Sequence, residues 1–205
     1  MSSKGRVLVA MSGGVDSSVS AVMLKEQGYD VIGITMKTWD YSRVGGESGK
    51  ETGCCTLESM NDAREIAIKH GFKHFIVDIR DEFGDWVIER FIDEYMSGRT
   101  PNPCVLCNTH IKWAAMMRRA DQLNCDYIAT GHYANVREEN GRYVISRGKD
   151  RHKDQSYALW GVQQEHLART IFPLGSYRKS EIRQFAEDYG LLNVANKPDS
   201  YEICF

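Results

Sequence analysis

The stretch Ser12-Gly13-Gly14-Val15-Asp16-Ser17-Ser18 gathers two glycines, three hydroxyls and a carboxylate into seven positions. Glycines let the backbone take left-handed angles and approach a ligand closely, while the hydroxyls donate hydrogen bonds. Placed between a strand and a helix start, such a turn presents free N–H groups and the positive end of a helix dipole to one point, which attracts phosphate. Asp16 suits either a magnesium ligand or a helix cap. A second group of residues suggests sulfur chemistry. Cys104 and Cys107 follow Thr100-Pro101-Asn102-Pro103 at the spacing of redox and metal sites, and Cys204 follows another proline-containing stretch. Sulfur transfer wants one thiolate to carry a persulfide and a second to resolve the disulfide that results.

The elements that must hold these groups alternate. Val7-Leu8-Val9-Ala10 reads as a buried strand before the glycine turn, and Val19 to Gln27 as a helix stopped by Gly28. Asp30 to Met36 predicts a second strand, and residues 40 to 53, rich in glycine and charge, a loop of lid-like length with Cys54 and Cys55 at its end as local structure. Leu57, Met60, Arg64 and Ala67 mark one helix face ending at Gly71; His74 to Asp78 is a third strand. Phe83, Trp86, Val87, Phe91 and Tyr95 form an aromatic helix face read as core, and Trp113, Met116, Met117, Ala120 and Leu123 another apolar face. Cys125 reads as a small buried residue before a fourth strand, Asp126 to His132, which sets His132 at the carboxyl edge. Asn140-Gly141 turns a hairpin with arms 133–137 and 142–147, and the stretch from Arg142 to Lys153 is the densest in basic residues. A last helix carries Ile182, Phe185, Ala186 and Tyr189, capped near Ser180 and stopped by Gly190. The expected fold is therefore α/β, a doubly wound, mostly parallel sheet with a small appended hairpin and helical region, and ligands bound beyond the strands' carboxyl ends.

Composition narrows the classes. With 205 residues, 42% hydrophobic and 26% charged, the chain suits one sizeable α/β domain with a small appendage. We place the catalytic domain at 1–160 and a second region at 161–205. No apolar run approaches membrane-spanning length and the first strand begins too early for a signal peptide. Six cysteines do not form a secreted framework, so a reducing cytoplasm is expected. A net charge of −2 leaves any nucleic-acid binding to local patches such as 142–153.

There is no Gly-x-x-x-x-Gly-Lys-Ser/Thr and no Gly-x-Gly-x-x-Gly. Ser-Gly-Gly-x-Asp-Ser instead resembles the signature of the PP-loop ATP pyrophosphatases (the adenine nucleotide alpha hydrolase-like fold), which cleave ATP between the α- and β-phosphates and adenylate a substrate oxygen. Further pieces extend the likeness: Thr100-Pro101-Asn102-Pro103 with Leu106-Cys107-Asn108, Ala129-Thr130-Gly131-His132-Tyr133, Lys153-Asp154-Gln155-Ser156-Tyr157, and Asp199-Ser200 with Ile203-Cys204-Phe205. In this order across nearly the whole chain they resemble the bacterial tRNA-specific 2-thiouridylases.

The resemblance implies an ATP site at Ala10, Met11, Ser12, Gly13, Gly14, Val15, Asp16 and Ser17, with Met36 and Gly131. It implies that Asn102, Pro103 and Cys104 surround the target base and that His132, Lys153, Asp154 and Gln155 touch tRNA. Cys204 would carry the persulfide and Cys107 would be its partner. ATP, Mg²⁺, the wobble uridine of tRNA and a protein donating or relaying persulfide sulfur are the implied cofactors and partners. Many family members carry Asp where this chain has Cys104. The three thiolates Cys104, Cys107 and Cys204 would suffice for a four-iron cluster with one open iron, the alternative being a spare thiol or a protective disulfide. The family also continues into further β-rich tRNA-gripping domains beyond Ile-Cys-Phe, so the chain is expected to be a catalytic-domain fragment whose last part opens the central tRNA-binding region. The rival readings are another PP-loop adenylating or sulfur-transferring enzyme, and a non-catalytic nucleotide- or metal-binding module.

Overall fold

A computed structural model describes residues 4–38 and 56–199. Strand β1 (Arg6–Ala10) leads through the glycine turn into α1 (Val15–Glu26), then β2 (Asp30–Lys37), α2 (Leu57–Lys69) and β3 (Lys73–Asp78). Helix α3 (Arg80–Phe83) continues through a π-helical stretch, Gly84–Ile88, into α4 (Glu89–Met96). Next come α5 (Pro103–Leu106), a second π-helical stretch (Cys107–Lys112), α6 (Trp113–Gln122) and β4 (Tyr127–Ala129). The hairpin of β5 (Ala134–Glu139) and β6 (Arg142–Arg147) turns at Asn140 and Gly141, whose φ of 53° and 76° suit a tight hairpin of matching twist. The described chain closes with α7 (Gln164–Leu167), β7 (Thr170–Ile171), α8 (Lys179–Asp188) and α9 (Leu192–Ala195).

Five parallel strands form the main sheet in the order β3-β2-β1-β4-β7. The winding reverses between β1 and β4, and in open α/β sheets the crevice beyond such a reversal receives the ligand. The pleat of β1 explains its composition. Val7 and Val9 point into one core with α1, α2 and α8, while Leu8 points into the other with α6, and all three are fully buried. Burial on both faces is why β1 carries no polar alternation.

Some expectations shift. The fourth strand stops at Ala129, so Thr130, Gly131 and His132 leave the sheet as an irregular edge. The two-residue strand β7 has no period to betray it. Leu57 is 70% exposed, and α2 buries Met60, Ala63, Ile66 and Ala67 instead. Of the aromatic face, Phe83 and Val87 are core, whereas Trp86 and Tyr95 are exposed; Trp86 stacks on His110 under the Arg90 guanidinium, and α4 buries none of its residues. Ser180 lies inside α8; its start is marked by Arg178, whose backbone N–H donates to Glu181 Oε2 at 2.7 Å. The loop 40–53 with Cys54 and Cys55 lies outside the described residues.

Candidate nucleotide and sulfur-transfer site

The turn after β1 is built as its glycines demand. Gly13 has φ +72°, and a Cβ there would stand 2.0 Å from the Ser59 carbonyl oxygen of α2. Gly14 opens α1 in extended conformation with no side-chain cap, so the first-turn N–H groups are not claimed by a residue of that loop's cap position. Ser17 Oγ donates to the Gly14 carbonyl at 3.2 Å and accepts from Ser12 N–H at 3.1 Å, which folds the turn back on the helix. Ser12 Oγ lies 3.2 Å from Ser17 Oγ. Ser18 is fully buried, so its hydroxyl faces the core rather than a ligand.

Asp16 is held by a cation and a phenol. Lys179 donates to both its oxygens at 2.7 Å, and the Tyr133 hydroxyl donates to Oδ1 at 2.8 Å. The same ammonium lies 2.9 Å from Asp199 Oδ1. Asp199 also meets Lys153 at 2.6 Å and Arg183 at 3.0 Å, and these cations hold its carboxyl below the ordinary range despite its burial. Burial, with Asp16 next to it, pushes the Tyr133 phenol far above its ordinary value, so it serves only as a donor.

Helix α5 sets the thiols. Asn102 Oδ1 accepts from the N–H groups of Cys104 (3.1 Å) and Val105 (3.4 Å), and Pro103 occupies the first helical position, where its missing N–H costs nothing. Cys104 and Cys107 are one helical turn apart and share a face. Burial explains the third described thiol differently: Cys125 is pushed up to about 11 and is inert packing.

One cavity of about 570 Å³ unites these parts. Its wall includes Ala10, Met11, Ser12, Asp16, Ser17, Met36 and Gly131 from the nucleotide group; Cys104 and Cys107; and His132, Lys153, Asp154 and Gln155. Gly13, Gly14 and Val15 shape the turn without lining the cavity; Asn102 and Pro103 start the cysteine helix rather than facing the opening. Gly131 matters through its backbone, since a Cβ there would meet Ser17 N at 2.8 Å. Cys204 lies outside the described residues.

The candidate RNA contacts also have internal duties. Asp154 accepts from Gly148 N–H at 3.0 Å and from the Ser156 hydroxyl at 2.9 Å, and Gln155 Oε1 accepts from Tyr133 N–H at 3.2 Å. His132 Nδ1 lies 2.7 Å from Thr130 Oγ1, and its ring packs between Trp113 and Phe172. Desolvation first, and the Lys112 charge second, hold this imidazole at about 3, so it is neutral at physiological pH and offers no positive charge to a phosphate. Thr35, Thr38, Lys112 and His152 line the cavity without having been singled out from sequence, while Asn108, Tyr133, Tyr157 and Asp199 entered only as members of the quoted motifs, with no role of their own. Tyr133 was within reach, directly after a strand end; Lys179, far along the chain on a helix that reads as amphipathic, carried no signal.

Among the described residues no group of three His, Cys, Asp or Glu could hold a metal ion, so a four-iron cluster finds no support there. No helix of the described residues is long and apolar enough to cross a membrane.

A glycine-rich turn at the carboxyl end of the central parallel strand, opening on this cavity, defines a PP-loop α/β domain. The chain belongs to the tRNA methyl transferase HUP domain family, whose pattern matches residues 5–205. It is similar to the tRNA-specific 2-thiouridylase MnmA of Salinibacter ruber, at 75% identity over 207 residues, covering 100% of this chain and 54% of that protein. The protein of the same name from Cytophaga hutchinsonii is 67% identical over 205 residues, covering 100% and 55%. The chain thus spans about half the length of the curated relatives it matches. Among solved structures, a 4-thiouridine synthetase–RNA complex with bound ATP is similar at TM-score 0.64 and 18% identity, covering 98% of this chain and 45% of that one. The NMN synthetase of Francisella tularensis gives 0.56 and 16%, covering 96% and 66%. At these identities the likeness is one of fold.

Proposed function

We propose that this chain is the ATP-binding, catalytic part of a tRNA sulfurtransferase that adenylates and 2-thiolates the wobble uridine. The observation that carries this reading is the shared cavity: the phosphate-seeking turn and the thiols Cys104 and Cys107 open on one space. Sulfur transfer needs an activated oxygen and a thiol within one site, whereas amide formation needs no thiol. The names of the 75% and 67% identical relatives support the same substrate.

In this mechanism ATP lies over Ala10 to Ser17, with its α-phosphate at the start of α1, flanked by Met36 and Gly131. The uridine O2 attacks the α-phosphorus, and the bond to the β-phosphate oxygen breaks to release pyrophosphate. Adenylation turns a carbonyl oxygen that cannot leave into one that departs as AMP. The terminal sulfur of a Cys204 persulfide attacks C2, AMP leaves, and the Cys107 thiolate then attacks Cys204 Sγ. That step leaves sulfur on C2 and the two cysteines as a disulfide, which a dithiol reductant reopens. The base must be splayed from its stack to enter the cavity, with Asn102, Pro103 and Cys104 beside it and Lys153, Asp154 and Gln155 at the strand. Cys204 comes five positions after Asp199, a tether of at most about 18 Å, and Asp199 is itself a cavity residue. Magnesium would arrive on the nucleotide phosphates and screen their charge, since Lys179 and Tyr133 already engage Asp16. A separate protein would deliver persulfide sulfur, in the cytoplasm where thiols stay reduced.

The test is mass analysis of wobble uridine in tRNA from cells lacking the gene, complemented by the full-length wild type or by Cys107→Ser. Loss of 2-thiouridine, restored by wild type only, is the expected result. Retention of 2-thiouridine in the deletion strain overturns the assignment.

A further inference from the structure

The nucleotide turn is pinned from behind, by a relay that begins at His74, outside the cavity lining, and passes through Thr35 in its wall. Thr35 is 1% exposed, and its Oγ1 lies 2.7 Å from the Met11 carbonyl oxygen and 2.9 Å from His74 Nε2. A hydroxyl owns one proton. Two oxygens cannot sit 2.7 Å apart without a proton between them, and a carbonyl can only accept, so the Thr35 proton belongs to Met11. Thr35 then faces His74 with a lone pair alone, and Nε2 must carry the hydrogen that fills it. Gly33 leaves the room this arrangement needs: a Cβ there would meet Met11 Sδ at 2.7 Å and His74 Cδ2 at 3.0 Å. The Met11 N–H donates in turn to the Ile34 carbonyl at 2.8 Å, so the residue that enters the turn is held by β2 on both its polar groups.

We propose that His74 is a positioning residue for the nucleotide turn: its Nε2–H orients the Thr35 hydroxyl, which fixes the Met11 carbonyl and so the direction of the next N–H groups toward the anion. The relay runs from the edge strand β3 through β2 to the start of the turn, and consecutive hydrogen bonds of this kind reinforce one another. Its ligand rests on the nucleotide reading given above; its geometry does not.

Three single variants and one double variant of the full chain test it, with ATP affinity measured by equilibrium dialysis and thermal midpoints recorded in parallel. His74→Leu keeps bulk without a donor and is expected to weaken ATP binding about fivefold, the net worth of roughly one hydrogen bond. His74→Gln keeps an N–H donor and should stay within about twofold of wild type by the same reasoning. Thr35→Val removes the relay atom, and adding His74→Leu to it should cost no more, because the two act as one unit. A packing role alone would give unchanged affinity in His74→Leu, or additive losses in the double variant, and either result overturns the proposal. Nitrogen–proton correlation of the wild-type imidazole gives a reading independent of folding in any variant: a hydrogen on Nε2 supports the relay, and a neutral ring protonated only on Nδ1 overturns it. Wild-type protein that binds no ATP would defeat the proposed function, while the tautomer would still decide the relay.

Discussion

Lys179 holds Asp16 by both carboxylate oxygens at 2.7 Å, tying the first turn of α1 to the start of α8 across 163 positions of sequence. The ammonium is 12% exposed and the carboxylate 32%, so water screens this pair far less than an ordinary surface bridge. Its position at the phosphate-seeking turn gives it a function besides fastening. An uncompensated carboxylate there would repel the nucleotide.

Lys179→Met should therefore weaken ATP binding at least tenfold and cost about 2 kcal/mol of stability, since removing one partner strands a partly buried charge. Adding Asp16→Asn should recover part of both losses. Isothermal titration and urea unfolding of the single and double variants measure the coupling, and strictly additive losses would refute charge compensation.

Gly13→Ala should be severely damaging for a single added methyl. The new Cβ meets the Ser59 carbonyl oxygen at 2.0 Å on a backbone of φ +72°, so the turn must move as well as strain. A stability loss above about 2 kcal/mol and no measurable ATP binding are expected. Gly71→Ala serves as the comparison, because its φ is +67° but nothing lies within 4 Å; it should cost only about 1 kcal/mol of strain.

The His132 imidazole gives the stability curve a definite sign. Folded it titrates at about 3, against an ordinary value of 6.5. Above pH 6.5 the ring is neutral in both states and has no effect. As pH falls from 6.5 toward 3 the unfolded chain takes up a proton that the folded one refuses, so stability falls through that window. His132→Gln should flatten the dependence of the urea midpoint between pH 7 and 4.5. An unchanged slope would show that the ring is charged in the folded protein.

Thiol labelling should separate the cysteines. Cys125, buried and held at about 11, should resist iodoacetamide at pH 8 in the native protein, while exposed Cys104 reacts. Cys125→Ser should leave sulfur transfer intact and Cys107→Ser should abolish it, as read by 2-thiouridine formation in the full-length protein.

The parallel sheet was legible because β1, β2 and β4 are apolar runs bounded by glycine and polar turns, and Asn140-Gly141 announces its hairpin outright. The nucleotide turn was legible because its glycines are demanded by backbone geometry, and geometry leaves a mark on residue type. Lys179 and Thr35 left none, and Asp199 stood out only as part of a motif, without its ion partners. A lysine or aspartate on a helix or loop looks the same in sequence whether it faces solvent or a carboxylate brought from 163 positions away. His132 was placed correctly at the strand edge, but its charge depended on Trp113 and Phe172 packing beside it, which no local pattern records. The shortness of β4 and β7 likewise follows from tertiary pairing rather than propensity.

The meeting of Gly13 with the backbone of Ser59 reaches beyond the turn itself. Thr56 starts α2 by accepting the Ser59 N–H at 3.0 Å, so the first coil of that helix is the floor on which the nucleotide cradle stands. A one-residue slip of Thr56 to Ser59 would tilt the cradle. Evolution and engineering are thus bound by the pitch at which that helix begins, as firmly as by the glycine that rests on it.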